Sequence, residues 1–192
     1  MSKPVLLLDL GGVLADLGDP VSAVGLDMST AEFWPLWVNS PSVRAFETGR
    51  MPAGEFFTRV AEELAYKGDE PFEQRFHAWQ LRLFDGFDEF IGRAATHYRI
   101  ALLSNTNEVH WNQVTAASDA FGLFERVFLS FETGYFKPDD EAFKHVLESF
   151  DVPPGQVHFL DDSQRNVDAA RALGIDAHCV SGLDGVSRQV SH

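Results

Sequence analysis

The chain has 192 residues, the size of one domain or of one domain carrying a modest insertion. Apolar residues make up 45% of it and aromatic residues 12%, which is enough to fill a core and excludes a disordered chain. Fifteen Lys and Arg against 29 Asp and Glu give a net charge of −14. This charge argues against nucleic acid and anionic membranes as partners, because both bind cationic surfaces.

The cysteine count and the N-terminal sequence predict the cellular compartment. Cys179 is the single cysteine, so an internal disulfide and a cysteine-based zinc cluster are excluded, and a reducing compartment is indicated. The apolar run before Asp9 is too short for a signal peptide, and no later stretch reaches the length of a membrane span. We therefore expect a soluble, cytoplasmic protein. Composition does not define its oligomeric state.

Apolar runs that end in polar residues predict the strands of a buried sheet. Such runs occupy residues 5–8, 99–103, 126–129 and 157–160, with a shorter candidate at 177–180. Helical patterns separate the later runs, at residues 108–120, 139–150 and 167–173. Asn107 is a plausible N-cap of the first, Asp139 or Asp140 of the second, and Gly174 is expected to end the third. This alternation predicts an α/β three-layer sandwich with a parallel sheet, of the Rossmann-like kind.

One stretch does not alternate. Residues 20–84 contain no convincing strand, but they carry several helical segments with aromatic residues at helical spacing. We expect a core domain at residues 1–15 and 85–192 and a helical cap at residues 16–84. The aromatic residues are expected to fill the cap interior before they contact any ligand: Phe33, Trp34, Trp37, Phe46 and Trp79.

Polar residues follow the predicted strands, at the sheet edge where open α/β folds place their sites. Asp9 follows the first strand and can act as a nucleophilic carboxylate, and Gly11 and Gly12 allow a sharp turn near an anion. Ser104 and Asn105 follow the second strand and can donate to phosphate oxygens. Taken singly, each of these features is also explained as an ordinary turn or helix cap.

Charged residues complete the pattern. Lys137 lies in a loop stiffened by Pro138 and can neutralise an aspartate and a bound phosphate. Asp161 and Asp162 are adjacent carboxylates directly after a buried strand, which favours a divalent cation over simple N-capping. Chance is a poor explanation for all four signals occurring together in this order.

These residues resemble the four motifs of the haloacid dehalogenase superfamily. The matching segments are LLLDLGGVL at residues 6–14, LLSNT at 102–106, FKP at 136–138 and FLDD at 159–162. Within the superfamily, the flanking sequences resemble the bacterial glucose-1-phosphate phosphatase type and the N-terminal phosphatase domain of soluble epoxide hydrolases. The resemblance spans essentially the whole chain, including the cap after the first strand.

The resemblance implies a Mg²⁺-dependent phosphatase that acts on a small phosphorylated metabolite, with sugar phosphates as the expected class. Asp9 would be the nucleophile, and Asp9, the Gly11 carbonyl and Asp162 would hold the metal. Asp161 and Asn166 would orient its water ligands. The oxygens of the transferring phosphoryl group would be bound by Ser104, Asn105, Lys137 and the backbone N–H groups of Gly11 and Gly12.

The chain departs from the superfamily pattern at Gly11, where most of its phosphatases carry a second aspartate that protonates the leaving oxygen. Loss of such a group typically lowers the rate by about 10²–10⁴-fold. The glucose-1-phosphate phosphatase type resembles this chain in having glycine there, and an anomeric oxygen needs less protonation. Asp16 or a metal-organised water are open alternatives for the missing acid.

Two other functions stay in view. A phosphate-binding or regulatory module without catalysis would explain Gly11 directly. A 2-haloacid dehalogenase would use Asp9 and Lys137, but it needs no metal, and the Asp161-Asp162 pair argues against it. An oxidoreductase with a nucleotide cofactor is set aside because Gly11-Gly12 lacks the spaced glycine fingerprint.

Three further side chains are weaker candidates. His110 follows the Ser104-Asn105 turn and is interpreted first as a packing residue. Arg44 and Arg50 of the cap are candidates for steering phosphate, although arginines of this kind are usually exposed and without such a role.

Overall fold

The computed structural model describes residues 3–190. Within this range, five strands form one parallel sheet in the order β5-β4-β1-β6-β7, and two others form a short antiparallel ribbon, β2-β3. The strands are β1 Val5–Leu8, β2 Ala15–Asp16, β3 Arg82–Leu83, β4 Arg99–Ser104, β5 Arg126–Leu129, β6 Val157–Asp161 and β7 Asp176–Cys179. The strand β1 lies at the centre of the sheet, hydrogen-bonded to a partner on each side.

Eleven α-helices lie within the described residues. They are α1 Pro20–Val24, α2 Thr30–Asn39, α3 Pro41–Glu47, α4 Ala53–Glu63, α5 Phe72–Ala78, α6 Phe87–His97, α7 Glu108–Thr115, α8 Ser130–Thr133, α9 Asp140–Phe150, α10 Gln164–Ala172 and α11 Gly182–Gln189. The first five fall between the two strands of the ribbon, and the other six accompany the sheet. None of the helices between residues 3 and 190 has the length and apolar character of a membrane-spanning segment.

Both faces of the sheet are covered. Leu6 and Leu8 of β1 point into one apolar cluster, and Val5 and Leu7 point into a second cluster on the opposite face. All four side chains are fully buried, as the two-residue period of a strand between two helix layers requires. The predicted α/β sandwich with a parallel sheet is therefore confirmed, and the continuous apolar run is explained by burial on two sides.

The strand bounds differ from the predicted ones by one residue at most. β1 and β5 agree with the prediction, whereas β7 begins one residue earlier and ends one residue earlier. β4 and β6 each extend one residue further, because Ser104 pairs with Leu129 and Asp161 pairs with Cys179 across the sheet. Two predicted site residues are thus the last residues of their strands.

The helix predicted over residues 108–120 ends at Thr115 and is followed by a 3-10 helix at Asp119–Leu123. The Ser118 hydroxyl accepts a hydrogen bond from the backbone N–H of Ala120 at 3.0 Å, and it donates to the carboxylate of Asp88. The prediction is wrong beyond Thr115 because Ser118 begins a new turn there, as hydroxyl residues do at helix starts.

The predicted helix ends are partly confirmed. Asn107 caps α7, with its side chain accepting from the His110 N–H, and Gly174 after α10 has the left-handed φ of +82°. The helix α10 begins at Gln164, three residues before the predicted start. Asp139 occupies the N-cap position of α9, but its carboxylate makes no cap hydrogen bond and is paired with the guanidinium of Arg44 instead.

The inserted segment begins and ends at the ribbon. The sequence predicts no strand between residues 20 and 84, and this is wrong for Arg82–Leu83, which pairs with Ala15–Asp16. A strand of two residues is too short to show a period-two pattern. The ribbon lies at the two boundaries proposed for the cap, and the indole of Trp79 donates to the Leu17 carbonyl at 2.7 Å beside it.

Aromatic residues fill the interior of the insertion. Phe33 stacks on Trp37 with ring centroids 5.4 Å apart, and Trp37 stacks on Phe76 at 6.1 Å. Trp79 packs edge-on against Trp37 at 5.3 Å. Phe33, Trp37, Phe76 and Trp79 are buried, and Phe46 is half-buried. Such stacked and T-shaped pairs stabilise a small helical bundle beyond the area that they bury.

Candidate active site

The ends of the three central strands bring the predicted site residues to one edge of the sheet. Leu8, the last residue of β1, is level with Leu102 of β4 and Leu160 of β6. Asp9 continues β1, and its backbone N–H donates to the Leu160 carbonyl at 2.9 Å. Asp161, the next residue of β6, therefore lies beside Asp9.

Lys137 joins the two carboxylates. Its Nζ lies 2.7 Å from Asp9 Oδ1 and 2.6 Å from Asp161 Oδ2, and its side chain is 1% exposed. Burial alone lowers the pKa of Lys137, but the charges of Asp161 and Asp9 outweigh burial and hold its pKa above the ordinary value. The lysine is therefore a fixed ammonium group at the bottom of the site.

Both carboxylate oxygens of Asp161 accept hydrogen bonds. Besides Lys137, it accepts from the Ser163 N–H at 2.8 Å and from the Asn166 amide at 2.9 and 3.1 Å. These contacts occupy its carboxylate oxygens and compensate for its complete burial. Asp161 is thus fixed in position by Lys137, Ser163 and Asn166, and the role predicted for Asp161 and Asn166 in orienting water ligands stays a prediction.

Three carboxylates meet at this point. Asp9, Asp161 and Asp162 each offer an oxygen within 4.8 Å of the others. Burial raises the pKa of Asp9 above its ordinary range, and Asp161 and Asp162 add to this effect against the opposing charge of Lys137. Partial burial and the charge of Asp161 also raise the pKa of Asp162. Three carboxylates and one ammonium leave two negative charges, so the donor set fits one Mg²⁺ ion.

The glycine pair sets the approach of Asp162. Gly12 has a left-handed φ of +69°, and a Cβ on it would lie 2.2 Å from Asp162 Oδ2. A side chain at this position is excluded by both facts. The Gly12 N–H donates to the Ala15 carbonyl at 2.8 Å. The Gly12 N–H is thus used within the turn, and the assignment of both glycine N–H groups to phosphoryl oxygens stays a prediction.

Asn105 contacts Lys137 rather than open space. Its Nδ2 donates to the Lys137 carbonyl at 2.8 Å, and its Oδ1 accepts from the Lys137 N–H at 2.9 Å. The sequence predicts Asn105 as a phosphate-binding residue, whereas its carbonyl oxygen and one amide hydrogen fix the loop that carries the lysine. Ser104 is 2% exposed and lines the same cavity as Asp9 and Lys137.

A cavity of about 920 Å³ lies above the strand ends, between the sheet edge and the inserted helices. Its floor includes Asp9, Ser104 and Lys137, together with both glycines, Asn105, Asp162 and Asn166. Its roof carries aromatic and apolar side chains of the insertion, among them Trp34, Trp37, Val43 and Trp79. The insertion therefore covers the acidic cluster, which is where a lid that excludes water is expected.

The weaker candidates have other partners. The guanidinium of Arg44 is paired with Asp139 and lies 4.8 Å from the centroid of the Phe136 ring, although Arg44 also lines the cavity. Arg50 is exposed and donates to the Gly134 carbonyl at 3.4 Å. Both arginines therefore contact the core, and neither is a free cation above the acidic cluster.

His110 is buried between the insertion and the core. Its ring packs against Phe76 at 4.9 Å and against Trp79 at 4.7 Å. Burial, with a smaller effect from His77, lowers the pKa of His110 to about 4, so the ring is neutral at physiological pH. This agrees with its interpretation as a packing residue.

Cys179 ends β7, and its thiol donates to the Asp162 carbonyl at 3.3 Å.

Two residues at or near the cavity are absent from the predicted site, because the sequence analysis does not name Glu47 and names Asn107 only as a helix cap. Glu47, the last residue of α3, is 7% exposed and lines the cavity, and the side chain of Asn107 partly opposes the rise of its pKa. Neither residue follows a motif, because Glu47 follows Phe46 in an ordinary amphipathic pattern and Asn107 reads as a helix cap. A glutamate at the end of a helix gives no sign in the sequence that it is buried.

The fold and this site together define a Rossmann-like α/β protein with an acidic centre at the end of its central strand. The chain belongs to the haloacid dehalogenase-like hydrolases, whose family model matches residues 4–174. The resemblance found in the sequence is thereby confirmed.

Three characterised relatives align with most of the chain. A drimenol cyclase of Aspergillus calidoustus is 28% identical over 97% of this chain, which spans 36% of that protein. A sesquiterpene phosphatase of Aspergillus oryzae is 26% identical over 88% of this chain and 85% of its own length. A D-ribitol-5-phosphate phosphatase of Bacteroides thetaiotaomicron is 24% identical over 89% of this chain and 88% of its own.

Among solved structures, a haloacid dehalogenase family enzyme from Bacteroides thetaiotaomicron resembles this fold closely. That structure, a complex with magnesium and inorganic phosphate, aligns with a TM-score of 0.75 and 25% identity. The alignment covers 94% of this chain and 95% of the other. The similarity therefore includes the inserted helices as well as the sheet.

Proposed function

We propose that this chain is a Mg²⁺-dependent phosphomonoester hydrolase that acts on small metabolites through a phosphoryl group carried by Asp9. The observation that carries the proposal is the contact of Lys137 with Asp9 and Asp161 at the floor of the cavity. The names of two relatives, a sesquiterpene phosphatase and a ribitol-5-phosphate phosphatase, support the same reaction.

The acidic cluster supports a resident metal ion. Asp9, the Gly11 carbonyl and Asp162 would hold Mg²⁺, and Asp161 with Asn166 would orient its water ligands. When bound, the ion neutralises charge that develops on the transferring phosphoryl group. The related enzyme from Bacteroides thetaiotaomicron, crystallised with magnesium and phosphate, is consistent with this assignment.

The protein groups have separate tasks in this reaction. A carboxylate oxygen of Asp9 attacks phosphorus, the bond from phosphorus to the leaving oxygen breaks, and an aspartyl-phosphate forms. Lys137 neutralises charge on the phosphoryl oxygens, and the Ser104 hydroxyl donates to one of them. Water then attacks phosphorus, which releases phosphate and restores Asp9. The covering helices keep bulk water away from the first step.

Within this activity we propose sugar phosphates as the first substrate class. Glycine at position 11 suits a leaving oxygen that needs little protonation, such as the anomeric oxygen of a sugar 1-phosphate. The ribitol-5-phosphate phosphatase relative supports a polyhydroxylated leaving group. A second class, isoprenoid phosphates, is favoured by the roof of Trp34, Trp37 and Trp79 and by the sesquiterpene phosphatase relative.

Phosphate release from four compounds tests the proposal: glucose 1-phosphate, ribitol 5-phosphate, farnesyl phosphate and 4-nitrophenyl phosphate. We expect release with Mg²⁺, loss with a chelator, and at least about a 10³-fold loss in Asp9→Asn, because the nucleophile is removed. The exposed Asp27→Asn is the matched control and should behave as wild type.

The ranking of the four compounds separates the two substrate classes. Binding of the phosphates without turnover, in folded protein with Mg²⁺, would replace the enzyme by a phosphate-binding module. Halide release from 2-chloropropionate without Mg²⁺ would replace it by a dehalogenase.

A further inference from the structure

The site lacks a proton donor next to its nucleophile. Gly11, two residues after Asp9, has no side chain, and a Cβ there would lie 3.0 Å from Cδ2 of Leu17. A side chain at position 11 would therefore require the Leu17 side chain to shift by a few tenths of an ångström. An ordinary alcohol leaves as a strongly basic alkoxide unless it is protonated, so a phosphatase for such esters needs an acid from another part of the cavity wall.

Four carboxyl groups line the cavity, and three of them are already explained. Asp9 is the nucleophile of the proposed reaction, and Asp162 belongs to the acidic cluster at the metal position. Asp16 lies on the ribbon, is exposed to solvent, and accepts from the Gly18 N–H at 2.9 Å. Glu47 is left as the buried carboxyl group of the cavity wall that no other task uses.

The surroundings of Glu47 keep it protonated. Burial raises its pKa to about 8, and the side-chain amide of Asn107 opposes this only in part. No ion pair to Glu47 is formed among residues 3–190. A carboxyl group with such a pKa carries its proton at neutral pH and can donate it, as general acids in hydrophobic pockets do.

Neighbouring charges do not change this state. On its own helix, Arg44 is paired with Asp139, and on α7 the buried His110 is neutral. Burial outweighs the charged side chains on the helices packed against α3. They are Glu32 of α2, Glu55, Arg59, Glu62 and Glu63 of α4, and Glu132 of α8.

Asn107 ties Glu47 to the catalytic edge of the sheet. It follows Ser104 by three residues and is 1% exposed. Its Oδ1 accepts from the His110 N–H at 3.1 Å, and its Nδ2 lies 3.2 Å from His110 Nδ1. These contacts fix the orientation of the amide. Its opposing effect on the pKa of Glu47 places Asn107 near that carboxyl group, which lines the cavity together with Asp9 and Ser104.

We propose that Glu47 is the catalytic acid and base of this site, which rests on the proposed phosphatase function. As the bond from phosphorus to the leaving oxygen breaks, that oxygen takes its electron pair and the proton of Glu47. The Glu47 carboxylate then accepts a proton from the water that attacks phosphorus. The bond from Asp9 to phosphorus breaks, phosphate leaves, and Glu47 is again protonated.

This assignment widens the substrate class. A site with its own acid can release ordinary alcohols, so polyol and isoprenoid phosphates are accessible in addition to anomeric sugar phosphates. The absence of a side chain at Gly11 then marks a relocated acid rather than an inactive enzyme.

A leaving-group series tests the proposal. Values of kcat/KM are measured for 4-nitrophenyl, phenyl and benzyl phosphate with wild type and Glu47→Gln, because kcat/KM reports the steps up to release of the alcohol and not the later hydrolysis of the aspartyl-phosphate, which is common to all three esters. The amide has the shape of the protonated acid but donates no proton. We expect a loss of about 10²–10³-fold for benzyl phosphate and less than about fivefold for 4-nitrophenyl phosphate, whose leaving group needs no acid. The basic limb of the wild-type pH profile for benzyl phosphate should disappear in Glu47→Gln.

Controls separate the outcomes. Glu55→Gln changes an exposed cap glutamate paired with Arg59 and should match wild type. A loss in Glu47→Gln that is equal for all three esters, no loss at all, or a selective loss in Asp16→Asn overturns the proposal. If thermal melting shows that Glu47→Gln does not fold, the same series with Glu47→Asp decides, because a shortened acid should lower kcat/KM selectively for benzyl phosphate. Wild type that releases no phosphate from any ester overturns the proposed function itself.

Discussion

The side chain of Asn105 forms two hydrogen bonds with the backbone of Lys137, one from Nδ2 to the carbonyl at 2.8 Å and one to Oδ1 from the N–H at 2.9 Å. This pair connects the end of β4 to the loop that carries the buried ammonium group. The lysine reaches Asp9 and Asp161 only if that loop is held in place. Asn105 therefore determines the position of a charge that it does not itself contact.

We expect Asn105→Ala to lower kcat by about 10–100-fold, the range typical for residues that orient a catalytic group. Freed from its partner, the lysine loop can move while Asp9 and Asp162 stay in place. Steady-state kinetics on 4-nitrophenyl phosphate measure this effect. The exposed Asn112→Ala on α7 is the matched control. A change in KM alone, with kcat unchanged, would instead assign Asn105 to substrate binding.

Lys137→Met should destabilise the folded protein as well as inactivate it. Removal of the ammonium leaves Asp9 and Asp161 buried side by side, and a broken buried ion pair typically lowers the free energy of unfolding by about 3–5 kcal/mol. Because protonation of the carboxylates removes the repulsion, the loss should shrink as the pH falls. Mg²⁺ should also restore part of the stability.

Urea unfolding at pH 5 and pH 7.5, with and without Mg²⁺, measures these effects of Lys137→Met. Lys144→Met is the matched control, because Lys144 forms an exposed pair with Asp140 and such pairs contribute little. A destabilisation independent of both pH and Mg²⁺ would show that lost packing, rather than the two carboxylates, is responsible.

The sequence predicts the floor of this site well because each floor residue follows a buried strand. An apolar run such as residues 5–8 reveals both the strand and its end, and the topology of a parallel sheet then brings Asp9, Ser104 and Asp161 together. Asp161 and Asp162 predict a cation because two adjacent carboxylates directly after a buried strand need an opposite charge. These inferences need only local patterns and one rule of sheet geometry.

The roof of the site could not be predicted in this way. Glu47 and Asn107 are 60 positions apart in the sequence, and the pairing of Arg44 with Asp139 spans 95 positions. No local pattern reports such contacts. Burial decides the protonation of Glu47, and burial at the end of an amphipathic helix depends on what packs against it. The role of Asn105 was hidden likewise, because its partner is a backbone segment 32 residues away.

Gly12→Ala should weaken Mg²⁺ binding by at least about tenfold and lower activity with it. The new Cβ would lie 2.2 Å from Asp162 Oδ2, so the carboxylate must leave its position. Gly86→Ala is the matched control: Gly86 has a comparable φ of +83°, but nothing lies within 4 Å of the added Cβ. Gly86→Ala therefore has the backbone strain of an alanine with left-handed φ, typically about 1 kcal/mol, but no clash with a neighbouring side chain.

Isothermal titration with Mg²⁺ and the metal dependence of turnover compare the two glycine variants. If Gly12→Ala and Gly86→Ala bind Mg²⁺ equally well, Asp162 does not hold the ion and another ligand must replace it. If both variants lose stability equally but Gly12→Ala alone loses affinity for Mg²⁺, the clash with Asp162 is the cause.

The raised pKa of Glu47 also predicts how stability depends on pH. Its folded-state pKa of about 8 lies above the ordinary 4.5, so the folded protein holds this proton more tightly than the unfolded chain does. The contribution of Glu47 to stability is therefore fully present below pH 4.5 and is lost as the pH rises through about 8. Glu47→Gln cannot ionise and should lack this loss. Between pH 5 and pH 7, its free energy of unfolding should rise relative to wild type by up to about 1.4 kcal/mol per pH unit.

Urea unfolding of both proteins and of Glu55→Gln at several pH values measures the difference. Parallel curves for wild type and Glu47→Gln would mean that Glu47 is ionised in the folded protein, and such a carboxylate could not act as the proton donor.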